Sequence, residues 1–296
     1  MTIKISYEDA NRRIDKFLFA YLNNAPHSFV YKMLRKKRIK LNGARAEGNE
    51  ILKPDDEIKF FLSEETIASC KKAIEISVAE PLTGIIFEDE NFLIVNKPVG
   101  LPSMGGMKKS DNLLARILFY LNGRGAICNR LDVNTSGLVV CGKNVRALQE
   151  VNELFANGGV KKEYLTIVNG IAGKINETRT LEGFYQKDEK TNTAKIFSHS
   201  RENAKKVTTL YTVTAISQKH SLLSVSPVTG RSHQIRAHLA SVGLPIVGDK
   251  KYGGSSPLSS VQLLHCRRLE IFSHKWEAPL PKKFIACMRE LFGGDV

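Results

Sequence analysis

Asn129-Arg130-Leu131-Asp132-Val133-Asn134-Thr135-Ser136-Gly137-Leu138-Val139-Val140 is the stretch on which the reading of this chain turns. Its first half is polar and its second half apolar. A loop carrying Arg, Asp, Thr, Ser and Gly runs straight into a strand that reads as buried. Catalytic side chains favour such loops, because a rigid strand holds them in place. Arg130 stands two residues from Asp132, a spacing that invites ion pairing. On spacing alone an ordinary Asp-containing turn is the favoured reading, so the case for chemistry depends on the surrounding sequence.

Upstream, residues 84–98 read as strand, acidic turn, strand, ending at Pro98. Gly100-Leu101-Pro102-Ser103-Met104-Gly105-Gly106 follows as a loop. It approaches a phosphate-binding P-loop but lacks the Lys-Ser/Thr ending, which excludes nucleotide hydrolysis by that motif. Asn112 to Leu121 reads as a helix.

The N-terminal part is a separate small module. Ile14, Phe17, Leu18, Tyr21 and Leu22 form one stripe of an amphipathic helix. A break at Asn23-Asn24-Ala25-Pro26 leads to a second helix that buries Phe29, Val30, Met33 and Leu34, with Ser28 as the expected N-cap. Lys32, Arg35, Lys36, Lys37 and Arg38 form a basic cluster on and just after it. Most charge runs are solvated faces, and this one alone favours that reading. Ile39-Lys40-Leu41 and the turn signal Asn42-Gly43 predict a hairpin, with another strand near residues 57–62. The expected organisation is a small domain over 1–63, a linker over 64–80 and a large domain over 81–296. The middle of the linker, Lys71 to Val78, is read as a strand or short helix.

Composition narrows the function classes. The 296 residues include 44 Lys plus Arg against 30 Asp plus Glu, a formal net charge of +14. An excess of this size fits a polyanionic partner, and nucleic acid is the first choice. No apolar run approaches the ~20 residues of a membrane-spanning helix, and no long basic amphipathic helix suggests a membrane surface. The opening residues lack the apolar core of a signal peptide, so a cytoplasmic location is expected. The five cysteines are scattered without a C-x-x-C pair, which predicts reduced, mostly buried thiols rather than disulfides or zinc. His233 and His238 miss the H-E-x-x-H spacing, and no metal is expected.

Taken together, the motifs are similar to those of a known family. The 129–140 stretch resembles the R-L-D-x-x-T-S-G motif of the RluA-type pseudouridine synthases. Asn129 stands where that family commonly has His. Asn96-Lys97-Pro98-Val99-Gly100 resembles the family's N-K-P-x-G block, and Lys162-Glu163-Tyr164 its K-x-Y strand. Residues 228–239, from Val228-Thr229-Gly230-Arg231 to His238-Leu239, resemble its G-R-x-H-Q-I-R-x-H-L block. Gly243-Leu244-Pro245-Ile246-Val247-Gly248-Asp249 matches G-x-P-I-x-G-D, and Leu264-His265 with Ala278-Pro279-Leu280-Pro281 the closing motifs. The helix, basic helix, Asn-Gly hairpin and strand of the N-terminal module resemble the S4 RNA-binding domain, with Ser28-Phe29 where that family often has Ser-Arg.

The resemblance implies an α+β fold, with a small S4-like helix-helix-hairpin domain and a larger domain on a mixed, mostly antiparallel sheet. It implies isomerisation of uridine to pseudouridine in structured RNA. Ribosomal RNA of the large subunit is the favoured substrate and transfer RNA the alternative. Asp132 is the implied catalytic residue, Tyr164 the stacking surface for the base, and Arg236 the cation that keeps Asp132 ionised. Arg231 is the second choice for that pairing. Arg130, Arg231, His233, Lys162, Lys32, Arg35, Lys36 and Arg38 are expected RNA contacts. Leu131 and Ile235 are the expected apolar wall. The base stays in the site throughout, so no cofactor is required, and a monomer is expected.

Three other readings carry less. A catalytically silent RNA-binding protein of this fold would have lost the aspartate, and Asp132 is present together with Tyr164 and Arg236. A nucleoside or glycoside hydrolase usually pairs two carboxylates, and Asp132 has no acidic neighbour in its motif. A membrane-surface protein has little in the sequence to support it.

Overall fold

The structure is a computed structural model that describes residues 1–6, 9–71, 80–105 and 111–293. The chain divides into two compact units, Met1–Glu75 with Asn144–Arg146, and Ile76–Lys143 with Ala147–Val296.

In the first unit the elements are β1 (Thr2–Lys4), α1 (Ile14–Tyr21), α2 (His27–Arg35), β2 (Ile39–Leu41), β3 (Ala44–Arg45), β4 (Glu57–Phe60) and α3 (Glu64–Ser69). The stripe Ile14, Phe17, Leu18 and Leu22 is buried, and it meets Val30, Met33 and Leu34 of α2 in one apolar core. Phe29 is only partly buried against that core. Asn42 and Gly43 both take positive φ, +48° and +76°. That is the backbone a two-residue hairpin turn needs between twisted strands. The sheet order is β1-β4-β2-β3.

Two expectations are corrected here. The residue preceding α2 is Pro26 at φ −57°, ψ 144°, and no side chain caps the helix, so Ser28 lies inside the first turn. Proline's fixed φ already sets the entry, and His27 begins the helix directly. Residues 64–69, expected within a linker, form α3. The Ser63 hydroxyl accepts from the Thr66 N–H at 3.2 Å, and Ile67 is buried in the small core. The strand or helix expected over Lys71 to Val78 falls almost wholly outside the described residues.

The second unit contains β5 (Ile85–Glu88), β6 (Phe92–Lys97), α4 (Leu113–Tyr120), β7 (Ala126–Ile127), β8 (Ser136–Gly142) and α5 (Val145–Ala156). Then come β9 (Lys161–Asn169), β10 (Thr178–Asp188), β11 (Thr193–Phe197), β12 (Lys205–Ile216), β13 (His220–Pro227) and α6 (Gln234–Ser241). A short 3-10 turn (Lys250–Tyr252), β14 (Leu264–Ile271), β15 (His274–Glu277) and α7 (Lys282–Phe292) complete it. The strands form one sheet in the order β11-β10-β12-β13-β9-β14-β8-β6-β5, with β15 on β14 and β7 on β8. Every pairing is antiparallel except β14 with β8.

Strand periodicity separates the two faces. On β9, Tyr164 and Val168 belong to the main core, which also holds Leu131, Ile235 and Leu239. Leu165 and Ile167 belong to a second cluster with Phe284, Cys287 and Met288 of α7. Strand β8, which follows the Asp132 loop, is buried along its whole length. All five cysteines are free thiols, four of them buried and Cys128 half-buried. No helix among the described residues is long and apolar enough to cross a membrane.

Gly137 marks the join between the motif loop and this core. Its φ is +113°, and a Cβ there would lie 2.2 Å from the Cys266 carbonyl oxygen on β14. Only glycine permits both the backbone angle and the close parallel approach. Gly137→Ala is therefore expected to cost about 3 kcal/mol of stability, read as a lowered midpoint in urea unfolding. An unchanged midpoint would contradict the packing described.

Candidate active site

The loop from Cys128 to Thr135 joins β7 to β8 and carries Asp132. Several bonds fix its path. The Asn129 side chain accepts from the Val140 N–H at 2.8 Å and donates to the Leu138 carbonyl at 3.2 Å, acting as an extra rung against β8. A primary amide has the donor and acceptor for both bonds at once, which accounts for a working Asn at this position. The Ser103 hydroxyl donates to the Leu131 carbonyl at 2.7 Å and accepts from the Leu131 N–H at 3.0 Å. The Thr135 N–H closes the turn onto the Asp132 carbonyl at 3.0 Å.

Lys97, at the end of β6, supports the loop from below. It is fully buried, and its Nζ donates to the carbonyls of Pro98 (2.9 Å), Leu101 (2.8 Å) and Val133 (3.1 Å). Burial pushes its pKa down to about 7, while the negative charge of Asp132 opposes that shift. Three acceptors around one nitrogen match the three protons of an ammonium group.

Above the loop, α6 brings Arg236 to Asp132. Its Nη1 donates to Asp132 Oδ2 at 2.7 Å. The other edge of the guanidinium grips Asp249 through Nε (2.7 Å) and Nη2 (2.9 Å). Arg236 is 6% exposed and Asp249 1%. Burial works against the guanidinium charge, but Asp249 and Asp132 outweigh it and raise the pKa above its ordinary value. One cation thus serves two carboxylates, a use of the planar fork that Lys could not reproduce.

Tyr164, 8% exposed on β9, lies in the same apolar cluster as Leu131 and Ile235. Burial, with Cys266 and Asp132 adding to it, raises its phenol pKa well above the usual value, so the hydroxyl stays protonated. His233 precedes α6 in a left-handed conformation, φ +55°. Its Nε2 lies 3.7 Å from Asp132 Oδ2, and its Nδ1 is 2.9 Å from the Tyr252 hydroxyl. Burial holds its pKa below the ordinary value against the pull of Asp132.

The structure therefore brings Asp132, Arg236, Tyr164, His233, Leu131 and Ile235 together, or into one cluster. It does not form the ion pair suggested by the Arg130–Asp132 spacing. Arg130 is exposed, and Asp132 pairs with Arg236 instead. Arg231, the second choice for that pairing, is also exposed. It stands before α6 on a turn held by Gln234, whose side-chain oxygen accepts from the Arg231 N–H at 3.1 Å and the Thr229 hydroxyl at 2.7 Å. Lys162 is half-buried on β9 over the Phe155 ring, 5.3 Å from its centroid. Lys32, Arg35, Lys36 and Arg38 are exposed on the first unit.

Asp249, Tyr252, Lys97 and Ser103 take part in the site without a role foreseen for them. Asp249 and Lys97 lie inside recognised blocks, which was the available signal. Nothing local marks Tyr252. Among the described residues no cluster of three or more His, Cys, Asp or Glu side chains is placed to hold a metal ion.

His265 braces the start of β8. Its Nε2 donates to the Ala278 carbonyl at 3.3 Å, which leaves Nδ1 to accept from the Ser136 hydroxyl at 2.8 Å. Burial lowers its pKa to about 4. The imidazole is thus neutral in the fold across a range where the unfolded chain binds a proton. Its contribution is complete above about pH 6.5 and is lost as pH falls towards 4. At pH 5 the cost is about 2 kcal/mol relative to pH 7. Unfolding measured at both pH values should show this loss, and His265→Gln should abolish that part of it. An equal loss in the variant would contradict the role.

The sequence matches the RNA pseudouridylate synthase family over residues 91–241 and the S4 domain over residues 12–58. Ribosomal large subunit pseudouridine synthase C of Rickettsia felis is 33% identical, over 93% of this chain and 96% of that protein. Ribosomal large subunit pseudouridine synthase D of Borreliella burgdorferi is 32% identical, over 81% of this chain and 77% of that protein. The solved structure of human RNA pseudouridylate synthase domain containing 1 superposes with a TM-score of 0.59 at 25% identity, covering 71% of this chain and 89% of that one. The motif blocks, the fold and these likenesses converge, and the chain belongs to the RNA pseudouridylate synthase family, with an S4 domain at its N-terminal end.

Proposed function

We propose that this pseudouridine synthase acts on ribosomal RNA of the large subunit, with Asp132 as the reacting carboxylate. The observation that carries the assignment is the 2.7 Å bond from Arg236 to Asp132 beside an apolar wall. The names of the Rickettsia and Borreliella relatives support the ribosomal substrate, as does a net charge of +14.

The reaction breaks the N1–C1′ bond of uridine, turns the base and rejoins it through C5, releasing the C5 proton. A uridine in folded RNA must first leave its stack, at a cost of a few kcal/mol, and be held elsewhere. Tyr164 provides a ring for stacking, worth on the order of 1–3 kcal/mol per base. Its protonated hydroxyl adds no charge to the pocket. Asp132 must be ionised to act as nucleophile or base, and the Arg236 guanidinium, charged at any working pH, bonds its Oδ2 at 2.7 Å. Leu131 and Ile235 keep water from the detached base. Arg130, Arg231 and Lys162 on the second unit, and Lys32, Arg35, Lys36 and Arg38 on the first, supply cations for phosphate contacts that release counterions.

The test uses transcripts of ribosomal and transfer RNA tritiated at uridine C5. The wild type should release tritium from the large-subunit transcript, and Asp132→Ala should release at least about a thousandfold less while still retaining RNA. Release from transfer RNA alone would replace the substrate assignment, and equal release by both proteins would remove Asp132 from the chemistry.

A further inference from the structure

Both groups that approach the Asp132 carboxylate do so at the same oxygen. Arg236 Nη1 lies 2.7 Å from Oδ2 and His233 Nε2 lies 3.7 Å from it. Among the described residues no side chain bonds Oδ1. Each of the two partners is in turn held by a residue of one tight turn. Asp249 takes the Nε and Nη2 edge of Arg236 at 2.7 and 2.9 Å. Tyr252 meets His233 Nδ1 at 2.9 Å, and its ring lies 5.0 Å from the Arg236 guanidinium carbon.

The turn itself is tightly packed against the neighbouring backbone. A Cβ on Gly248 would lie 2.1 Å from the Val261 carbonyl oxygen, and one on Gly254 would lie 1.8 Å from the Ile246 carbonyl oxygen. Gly254 N–H donates to the Asp249 carbonyl at 2.8 Å, and Gly248 N–H to the Gly254 carbonyl at 2.6 Å. The Tyr252 hydroxyl accepts from the Ala194 N–H of β11 at 2.7 Å. Its own proton is then available to His233 Nδ1, and with that bond made the imidazole carries its proton on Nε2, facing Asp132.

The geometry points to residues 248–254 as a positioning element for the reaction: Asp249, through Arg236, and Tyr252, through His233, commit one oxygen of Asp132 to the protein and leave Oδ1 for the substrate. Without Asp249, the fork of Arg236 is free to take both Asp132 oxygens, the preferred bidentate arrangement of a lone Arg–carboxylate pair. The reacting oxygen would then be occupied. Without the Tyr252 hydroxyl, the imidazole is free to change tautomer and present a lone pair to the carboxylate, which repels it.

The inference rests on Asp132 being the reacting carboxylate, which Asp132→Ala examines on its own. Asp249→Asn and Tyr252→Phe in the full-length protein are compared with wild type for tritium release across RNA concentration. The ring nitrogens of His233 are followed by long-range 1H–15N spectra, assigned with His233→Gln. Expected are a kcat lower by about 100-fold for Asp249→Asn and about tenfold for Tyr252→Phe, with KM within about twofold. The wild-type spectrum should show a single tautomer protonated at Nε2, and Tyr252→Phe a mixture. An unchanged kcat in folded Tyr252→Phe, a loss carried by KM alone, or an Nδ1-protonated wild-type ring would each overturn the positioning role. If Asp249→Asn fails to fold, Tyr252→Phe decides alone. The ring spectrum needs no turnover, so a failure of the wild-type reaction would strike the reading of Asp132 and not be mistaken for a failure of the turn.

Discussion

A single guanidinium shared by a buried carboxylate, Asp249, and a half-buried one, Asp132, is the constraint around which this site is arranged. Arg236 bonds Asp249 with one edge and Asp132 with the remaining nitrogen. Removing charges of this kind from water costs several kcal/mol each, and only close, well-aligned partners recover it. Lys97 beneath the loop feels the same charge, since the Asp132 carboxylate opposes the fall of its pKa to about 7 on burial. The uneven division of bonds leaves Asp132 the more accessible carboxylate, with 25% of its side chain exposed against 1% for Asp249.

The scaffold exists to hold these groups in that relation. Asp132 hangs from a loop tied to β8 by Asn129, to the 101–103 segment by Ser103, and to β6 by Lys97. Arg236 sits in the first turn of a helix, Tyr164 on a central strand, and Asp249 in a turn closed by two glycines. The Asp132 loop, the first turn of α6 and the Asp249 turn are thus joined through one guanidinium. Each is anchored in backbone that cannot shift without breaking buried hydrogen bonds, and such pre-organisation is what electrostatic catalysis needs.

The elements legible from the sequence were those with a local pattern. The α1 stripe, the Asn42-Gly43 hairpin and the strand pair around residues 85–97 follow from periodicity and turn chemistry. The start of α2 is not legible locally, because Ser28 looks like a cap whereas Pro26 already sets the entry. Helix α3 was missed because six residues with one buried side chain leave almost no periodic signal. In the site, Asp132, Tyr164 and Arg236 were reached through motif blocks rather than spacing. Spacing alone pairs Asp132 with Arg130, two residues away, instead of Arg236, 104 residues further along the chain. The roles of Asp249 and Tyr252 depend on contacts among β11, α6 and the 248–254 turn, and a linear pattern does not encode them.

The central claim is that Asp132 works because a planar, always-charged fork binds it on one side only. Arg236→Lys tests it most directly, since the charge is kept and the geometry is lost. Single-turnover tritium release from the responsive transcript should fall by at least about 100-fold, with RNA affinity changed less than about twofold and the fold intact by circular dichroism. A variant that keeps the wild-type rate would show that charge alone suffices, and would contradict the account.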